Sequence, residues 1–211
     1  MGTPFIFPRA ASIEAPLRLA VLISGGGSGL ASLLAFQSLE PRCHRTVIVL
    51  ADSNNAGGLE HGKSAGITTV GIPIPMELES TERRLAHENM IQSQLKSSKA
   101  EVLILSGYMR ILTPSFVEKW KGRIMNIHPS LLPDFPGAHP HRDALSAGVT
   151  TTGCTVHLVD EGVDTGPILA QREVPVLEGD NEETLQERVK KVEHVLYPET
   201  IDLFCKGRLS I

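Results

Sequence analysis

Short, nearly continuous apolar runs alternate with longer amphipathic stretches through the first part of the chain. Residues 17–23 (L-R-L-A-V-L-I) are such a run, too short for a core helix and suited to a strand buried on both faces. Residues 46–51, 67–72 and 102–105 repeat the pattern. Between them, periodicity predicts helices over 30–39, 59–65 and 80–96. Ser80 or Thr81 would start the last of these, with Leu85, Met90, Ile91 and Leu95 turned inward. Pro114 suits the first turn of a further helix to about residue 120. Strands that recur with helices between them give the α/β class, a mostly parallel, doubly wound, Rossmann-like sheet.

The pattern changes in the second half. Residues 123–128 (R-I-M-N-I-H) read as a strand that must end at Pro129, which has no N–H for a ladder. Residues 140–147 suit a short helix, and residues 152–159 then alternate apolar and polar. A second extended run, 168–174, follows a glycine-broken loop, so an antiparallel strand pair is appended to the parallel sheet. Residues 181–205 predict a long amphipathic helix, capped by Asp180 or Asn181 and interrupted at Pro198. Residues 1–16 read as a flexible extension, and 17–211 as one domain.

Composition narrows the function classes. A hydrophobic content of 41% with 21% charged residues is that of a globular protein, and a net charge of -4 gives no field to attract nucleic acid. Cys43, Cys154 and Cys205 are odd in number and widely spaced, which predicts neither a disulfide framework nor a zinc site and suits a cytoplasmic location. No apolar run has the length of a membrane span. The first sixteen residues, with Arg9 as their one basic residue, do not read as a secretory signal.

Two stretches carry candidate chemistry. The first is Ser24-Gly25-Gly26-Gly27-Ser28-Gly29, which joins a strand to a helix, so that converging backbone N–H groups and the helix dipole make an anion cradle. Leu30 stands where a dinucleotide fingerprint needs glycine, and the Gly-Lys-Ser/Thr of a Walker loop is absent. A monophosphate is the anion that remains, against the simpler reading of a tight turn that binds nothing. Asp52, after the second strand, reads as a turn residue. Arg83 and Arg84 fall in the first turn of a helix, where positive charge opposes the dipole and an anionic partner would account for it.

The second stretch is the strand tip. Asn126 and His128, two apart, project from one face of an extended strand, at the edge where open α/β sheets bind ligands. The following loop is stiffened by Pro129, Pro133 and Pro136. Asp164, in the acidic loop, adds a carboxylate to the amide and imidazole, a set able to stabilise an oxyanion and move a proton. A metal reading from His128, His139, His141, His157, Asp160 and Asp164 matches no ligand spacing, so no metal is expected.

Four stretches together resemble one family. Ser24-Gly25-x-Gly27-Ser28, Gly107-Tyr108-Met109-Arg110-Ile111-Leu112, Asn126-Ile127-His128-Pro129-Ser130-Leu131-Leu132-Pro133 and Val163-Asp164-Thr165-Gly166-Pro167 are similar to the folate-dependent phosphoribosylglycinamide formyltransferases of de novo purine synthesis. The resemblance covers about residues 17–208 and implies transfer of a formyl group from 10-formyltetrahydrofolate, as co-substrate, to the amine of glycinamide ribonucleotide. It places Asn126, His128 and Asp164 on the catalytic positions. Gly27, Ser28, Gly29, Arg83 and Glu193 fall on the ribonucleotide side. Arg110, Ile111, Leu112 and the loop of Val159, Asp160, Glu161, Gly162, Val163 and Asp164 fall on the folate pocket. Residues 17–122 then form a phosphate-binding half and 123–211 a catalytic and folate-binding half, with both partners small molecules and a homodimer admitted.

One departure is visible. The family usually has Asn after the loop serine, and Gly29 keeps the backbone donors but removes a side-chain phosphate contact. A formyltetrahydrofolate deformylase, with water as acceptor, is expected to carry an added N-terminal regulatory domain. A methionyl-tRNA formyltransferase is expected to carry a basic extension after the catalytic domain. A non-catalytic nucleotide- or folate-binding module is the rival from another class.

Overall fold

The structure, a computed structural model, describes residues 5–209. Its elements run β1 (Leu17–Ile23), α1 (Ser28–Ser38), β2 (His44–Ala51), α2 (Leu59–Ser64), β3 (Thr68–Gly71), α3 (Ser80–Ser97) and β4 (Val102–Leu105). They continue with α4 (Pro114–Lys119), β5 (Ile124–His128), α5 (Pro140–Ser146), β6 (Thr151–Leu158), β7 (Ile168–Pro175) and α6 (Glu182–Cys205). The strands form one seven-stranded sheet in the order β3-β2-β1-β4-β5-β6-β7. The first five are mutually parallel, and β6 and β7 are antiparallel to their neighbours. The doubly wound sheet with an appended antiparallel pair and a long last helix is therefore present. The carboxyl ends of β1, β4 and β5 open on one edge.

Strand periodicity divides the core in two. Leu19, Val21 and Ile23 of β1 pack with Leu30 and Leu33 of α1 and with Leu185, Val189 and Ile201 of α6. The alternate residues Ala20 and Leu22 face the other way, against Ile91 and Leu95 of α3 and Phe116 and Val117 of α4. Both faces of the central strand are thus dry, which explains its unbroken apolar run.

Two helices depart from expectation. In α3, Leu85 and Met90 are exposed, whereas His87 and Glu88 are buried beside Ile91 and Leu95. Polar partners decide this: His87 Nε2 lies 2.8 Å from the Ile72 carbonyl oxygen, and Glu88 accepts from the Thr113 N–H at 2.6 Å and from its hydroxyl. The helix does start at Ser80, with Glu79 as N-cap and without a side-chain cap bond. Helix α6 runs through Pro198 without interruption. Proline removes the N–H that would bond the carbonyl four residues back, and Ser32 of α1 donates its hydroxyl to that carbonyl, of His194. Asn181 caps α6, in a capping box with Thr184.

The described part of the segment read as flexible makes specific contacts. The Ile6 N–H donates to the Lys121 carbonyl at 3.2 Å, Arg9 Nε pairs with Glu101 at 2.7 Å, and Phe7 meets Phe204 edge-on. Aromatic residues and a single arginine in a short leader suffice to fasten it to the body. Among the described residues no helix is long and apolar enough to cross a membrane.

Candidate active site

The site is built on the last two residues of β5 that face its open edge. Asn126 is half-buried and His128 is 4% exposed, and Pro129 ends the strand just beyond. Tyr197 of α6 fixes this strand end from below: its hydroxyl, fully inside the core, is shared between the carbonyls of Leu105 at 2.9 Å and Met125 at 2.8 Å. Register with β6 places His157 directly opposite Asn126. The neighbouring carboxylate comes from the loop between β6 and β7, where Asp164 has φ +55. Aspartate tolerates that left-handed conformation better than most residues, and strain of this kind gathers at functional sites.

Four side chains meet there. His128 Nδ1 lies 3.3 Å from Asp164 Oδ2, and His128 Nε2 lies 2.8 Å from the Phe135 carbonyl oxygen. Both ring nitrogens of His128 face oxygen acceptors. Asp164 Oδ2 also accepts from the Gly137 N–H at 2.9 Å, so the rigid loop after β5 holds the carboxylate from the other side. His157 Nε2 lies 3.5 Å from Asp164 Oδ1 and 3.2 Å from Asn126 Nδ2. His157 Nδ1 donates to the Leu158 carbonyl at 3.0 Å, which turns Nε2 toward Asn126 and Asp164. The Asn126 amide nitrogen meets His157 Nε2 with one N–H, and its second N–H has no partner among the described residues.

Electrostatics keeps Asp164 ionised. Burial works to raise its carboxyl, and this is outweighed by the His157 contact, the Gly137 N–H and the positive potential of the two imidazoles, leaving it below the usual carboxylate range. The group can therefore orient His128 and stabilise its charged form without giving up its own charge.

The other expected residues fall in three places. Gly27, Ser28 and Gly29 make the turn into α1: Gly27 is the N-cap at φ 67, a conformation that glycine adopts freely, and no side chain caps the helix. Glu193 of α6 is half-buried with no hydrogen-bond partner for its side chain among the described residues, and burial pushes its carboxyl up to about 7. Arg83 does not reach the glycine turn. Its guanidinium donates to the carbonyls of Met76 and Leu78 at 3.0 and 2.8 Å. It lines instead a groove of about 310 Å³ with Arg84, Tyr108, Arg110, Ile111 and Leu112.

In that groove Ile111 is exposed, whereas Leu112 is buried in the core. Arg110 is tied by its Nε to Asp52 Oδ2 at 2.7 Å, so Asp52 is a buried ion-pair partner and not a free turn residue. In the acidic loop, the Val159 N–H extends the β5 ladder to the Ile124 carbonyl at 2.9 Å. Asp160 Oδ1 accepts from the Gly162 N–H and the Thr165 hydroxyl at 3.0 and 2.7 Å, while Glu161 and Val163 point to solvent. Among the described residues no group of three or more histidine, cysteine, aspartate or glutamate side chains is placed to hold a metal.

Sequence reasoning missed the role of His157, which it weighed solely as a metal ligand. Its signal is the strand register, and register is invisible until β5 and β6 are paired. The backbone groups of Phe135 and Gly137 leave no signal in residue identity at all.

Comparisons with known proteins agree on one family. The formyl transferase family model matches residues 17–201. The phosphoribosylglycinamide formyltransferase of Escherichia coli is 38% identical over 92% of this chain and 90% of that protein. The crystal structure of glycinamide ribonucleotide transformylase 1 from Symbiobacterium toebii superposes with a TM-score of 0.87 at 41% identity, covering 93% of this chain and 91% of that one. The chain is also 45% identical, over 91% of its length, to the trifunctional purine biosynthetic protein adenosine-3 of Drosophila pseudoobscura pseudoobscura, and it spans 14% of that protein. With a fold, a strand-tip site and full-length relatives in agreement, the chain belongs to the formyl transferase family, among its phosphoribosylglycinamide formyltransferases.

Proposed function

We propose that this chain transfers the formyl group of 10-formyltetrahydrofolate to the amine of glycinamide ribonucleotide. The observation that carries the reading is the set of Asn126, His128 and Asp164, joined through His157 beside the tip of β5, with only β4 between that strand and the one that leads into the glycine turn. Family membership supplies the two substrates, and a cytoplasmic location goes with them.

In the reaction the substrate amine attacks the formyl carbon. As the new C–N bond forms, the formyl oxygen gains negative charge. The second N–H of Asn126 donates to it, and so does His128 Nε2, whose proton now rests on the neutral Phe135 carbonyl. An oxyanion is a better acceptor than a carbonyl, so this exchange favours the transition state over the ground state. Asp164, held ionised, keeps His128 in position. When the bond from the formyl carbon to the folate nitrogen breaks, the proton lost by the amine passes to that nitrogen, through Asp164 or a water it orders.

The glycine turn binds the phosphate by backbone N–H groups. Arg110, Ile111, Leu112 and the acidic loop hold the folate, and Arg83 belongs with that groove. Absorbance at the folate band, followed with and without glycinamide ribonucleotide, tests the assignment. Consumption that requires the ribonucleotide is expected, and Asp164→Asn is expected to fold and to lose at least about a hundredfold in kcat. Consumption with water alone would assign a hydrolase, and no consumption would remove the transfer reaction.

A further inference from the structure

Ser106 is the first residue beyond β4 and is 7% exposed. Its N–H donates to the Leu22 carbonyl at 2.9 Å, which seats it against the end of β1. Its hydroxyl has no hydrogen-bond partner among the described residues. That oxygen points at Gly29: a Cβ built on Gly29 would stand 2.6 Å from Ser106 Oγ, closer than the two can approach. Glycine at 29 and serine at 106 are thus a fitted pair, in which the hydroxyl occupies the space a side chain on the helix would take.

The hydroxyl faces the first turn of α1, whose leading N–H groups have no side-chain cap. The turn itself is held on both flanks. Ser24 Oγ accepts from the Met109 N–H at 2.8 Å, and the Gly25 carbonyl accepts from the Gly58 N–H at 2.9 Å. A hydroxyl without a protein partner, on a residue otherwise packed into the fold and beside the uncapped first turn of α1, is free to donate to an acceptor carried by a ligand.

We propose that Ser106 is a phosphate-binding residue of this chain: its hydroxyl donates to an oxygen of the substrate's phosphate monoester, supplying from β4 the contact that Gly29 cannot supply from α1. The inference rests on the transfer reaction proposed above, and it concerns affinity, not the chemical step. Ser106→Ala raises the KM for the ribonucleotide by about tenfold, the loss of one hydrogen bond to a charged group, and leaves the folate KM and saturated kcat within about twofold. Gly29→Asn alone also weakens ribonucleotide binding, because its Cβ collides with the hydroxyl. The double variant Gly29→Asn/Ser106→Ala binds more tightly than either single variant.

Initial rates across these four proteins, with thermal unfolding to confirm that each is folded, make the test. An unchanged ribonucleotide KM in folded Ser106→Ala, or simple additivity in the double variant, overturns the proposal while the transfer reaction stands. Should the parent chain fail to transfer formyl at all, inorganic phosphate is the probe. A thermal shift with phosphate that is smaller in Ser106→Ala than in the parent upholds the hydroxyl's role, and equal shifts reject it.

Discussion

Asn126 does two jobs with one amide. Its contact to His157 orients the group, and the remaining N–H is the one proposed to meet the formyl oxygen. Asn126→Ala removes that donor and is expected to lower kcat by roughly a hundred- to a thousandfold with the folate KM little changed. Glu193 gives a second prediction at this scale. Burial lifts its carboxyl to about 7, so its ionised form, the better acceptor for sugar hydroxyls, is lost as the pH falls below that value. The ribonucleotide KM should rise from pH 8 to pH 6 in the parent and stay nearly flat in Glu193→Gln. Asn126 and His128 were legible in the sequence because strand alternation puts residues two apart on one face. His157 was not, because its place depends on which residue of β5 it opposes. Arg83 shows a related limit: a helix position states that a side chain is near a turn but not that nearby carbonyls will claim it.

At the scale of elements, α6 is the strut of the site. Tyr197 bonds the ends of β4 and β5 at once, so Tyr197→Phe leaves two buried carbonyls short of a donor and should cost roughly 1–3 kcal/mol in urea unfolding. The same helix shows why a proline rule failed. Pro198 orphans one carbonyl, and a hydroxyl from α1, distant in sequence, satisfies it. Ser32→Ala is expected to destabilise by about 1 kcal/mol, a loss that Pro198→Ala should reduce by restoring the helix's own N–H. In α3 the error was of another kind: apolar periodicity chose a face, and two polar residues with buried partners turned it. Strand positions fared better, because a run buried on both faces has no competing reading.

At the scale of the molecule, the interior holds a titratable group far from the chemistry. His44 of β2 is buried, and desolvation, opposed by Asp202, pushes its imidazole down to about 4. The unfolded chain protonates at about 6.5, so below that pH the unfolded state takes up a proton that the folded state refuses. Stability therefore falls as pH drops from 6.5 toward 4 and levels off below. The loss amounts to about 3 kcal/mol at most. Urea midpoints at pH 7 and pH 4.5 should differ more in the parent than in His44→Gln. The layered architecture itself was readable from the alternation of runs and helices. The pinned leader was not, since its anchors, Glu101 and Phe204, lie far along the chain.

The acidic loop leaves and rejoins the sheet at a single residue. The Leu158 N–H bonds the Pro167 carbonyl at 2.9 Å, its carbonyl receives His157 Nδ1, and Gly166 packs so closely on that carbonyl that no side chain fits there. The orientation of the His157 ring and the position of Asp164 are therefore both tied to one residue, Leu158. Drift in that part of the backbone cannot loosen the carboxylate while sparing the amide's partner. The Asp164 carboxylate and the Asn126 amide stand on a common hinge pin, so they are tuned together or lost together.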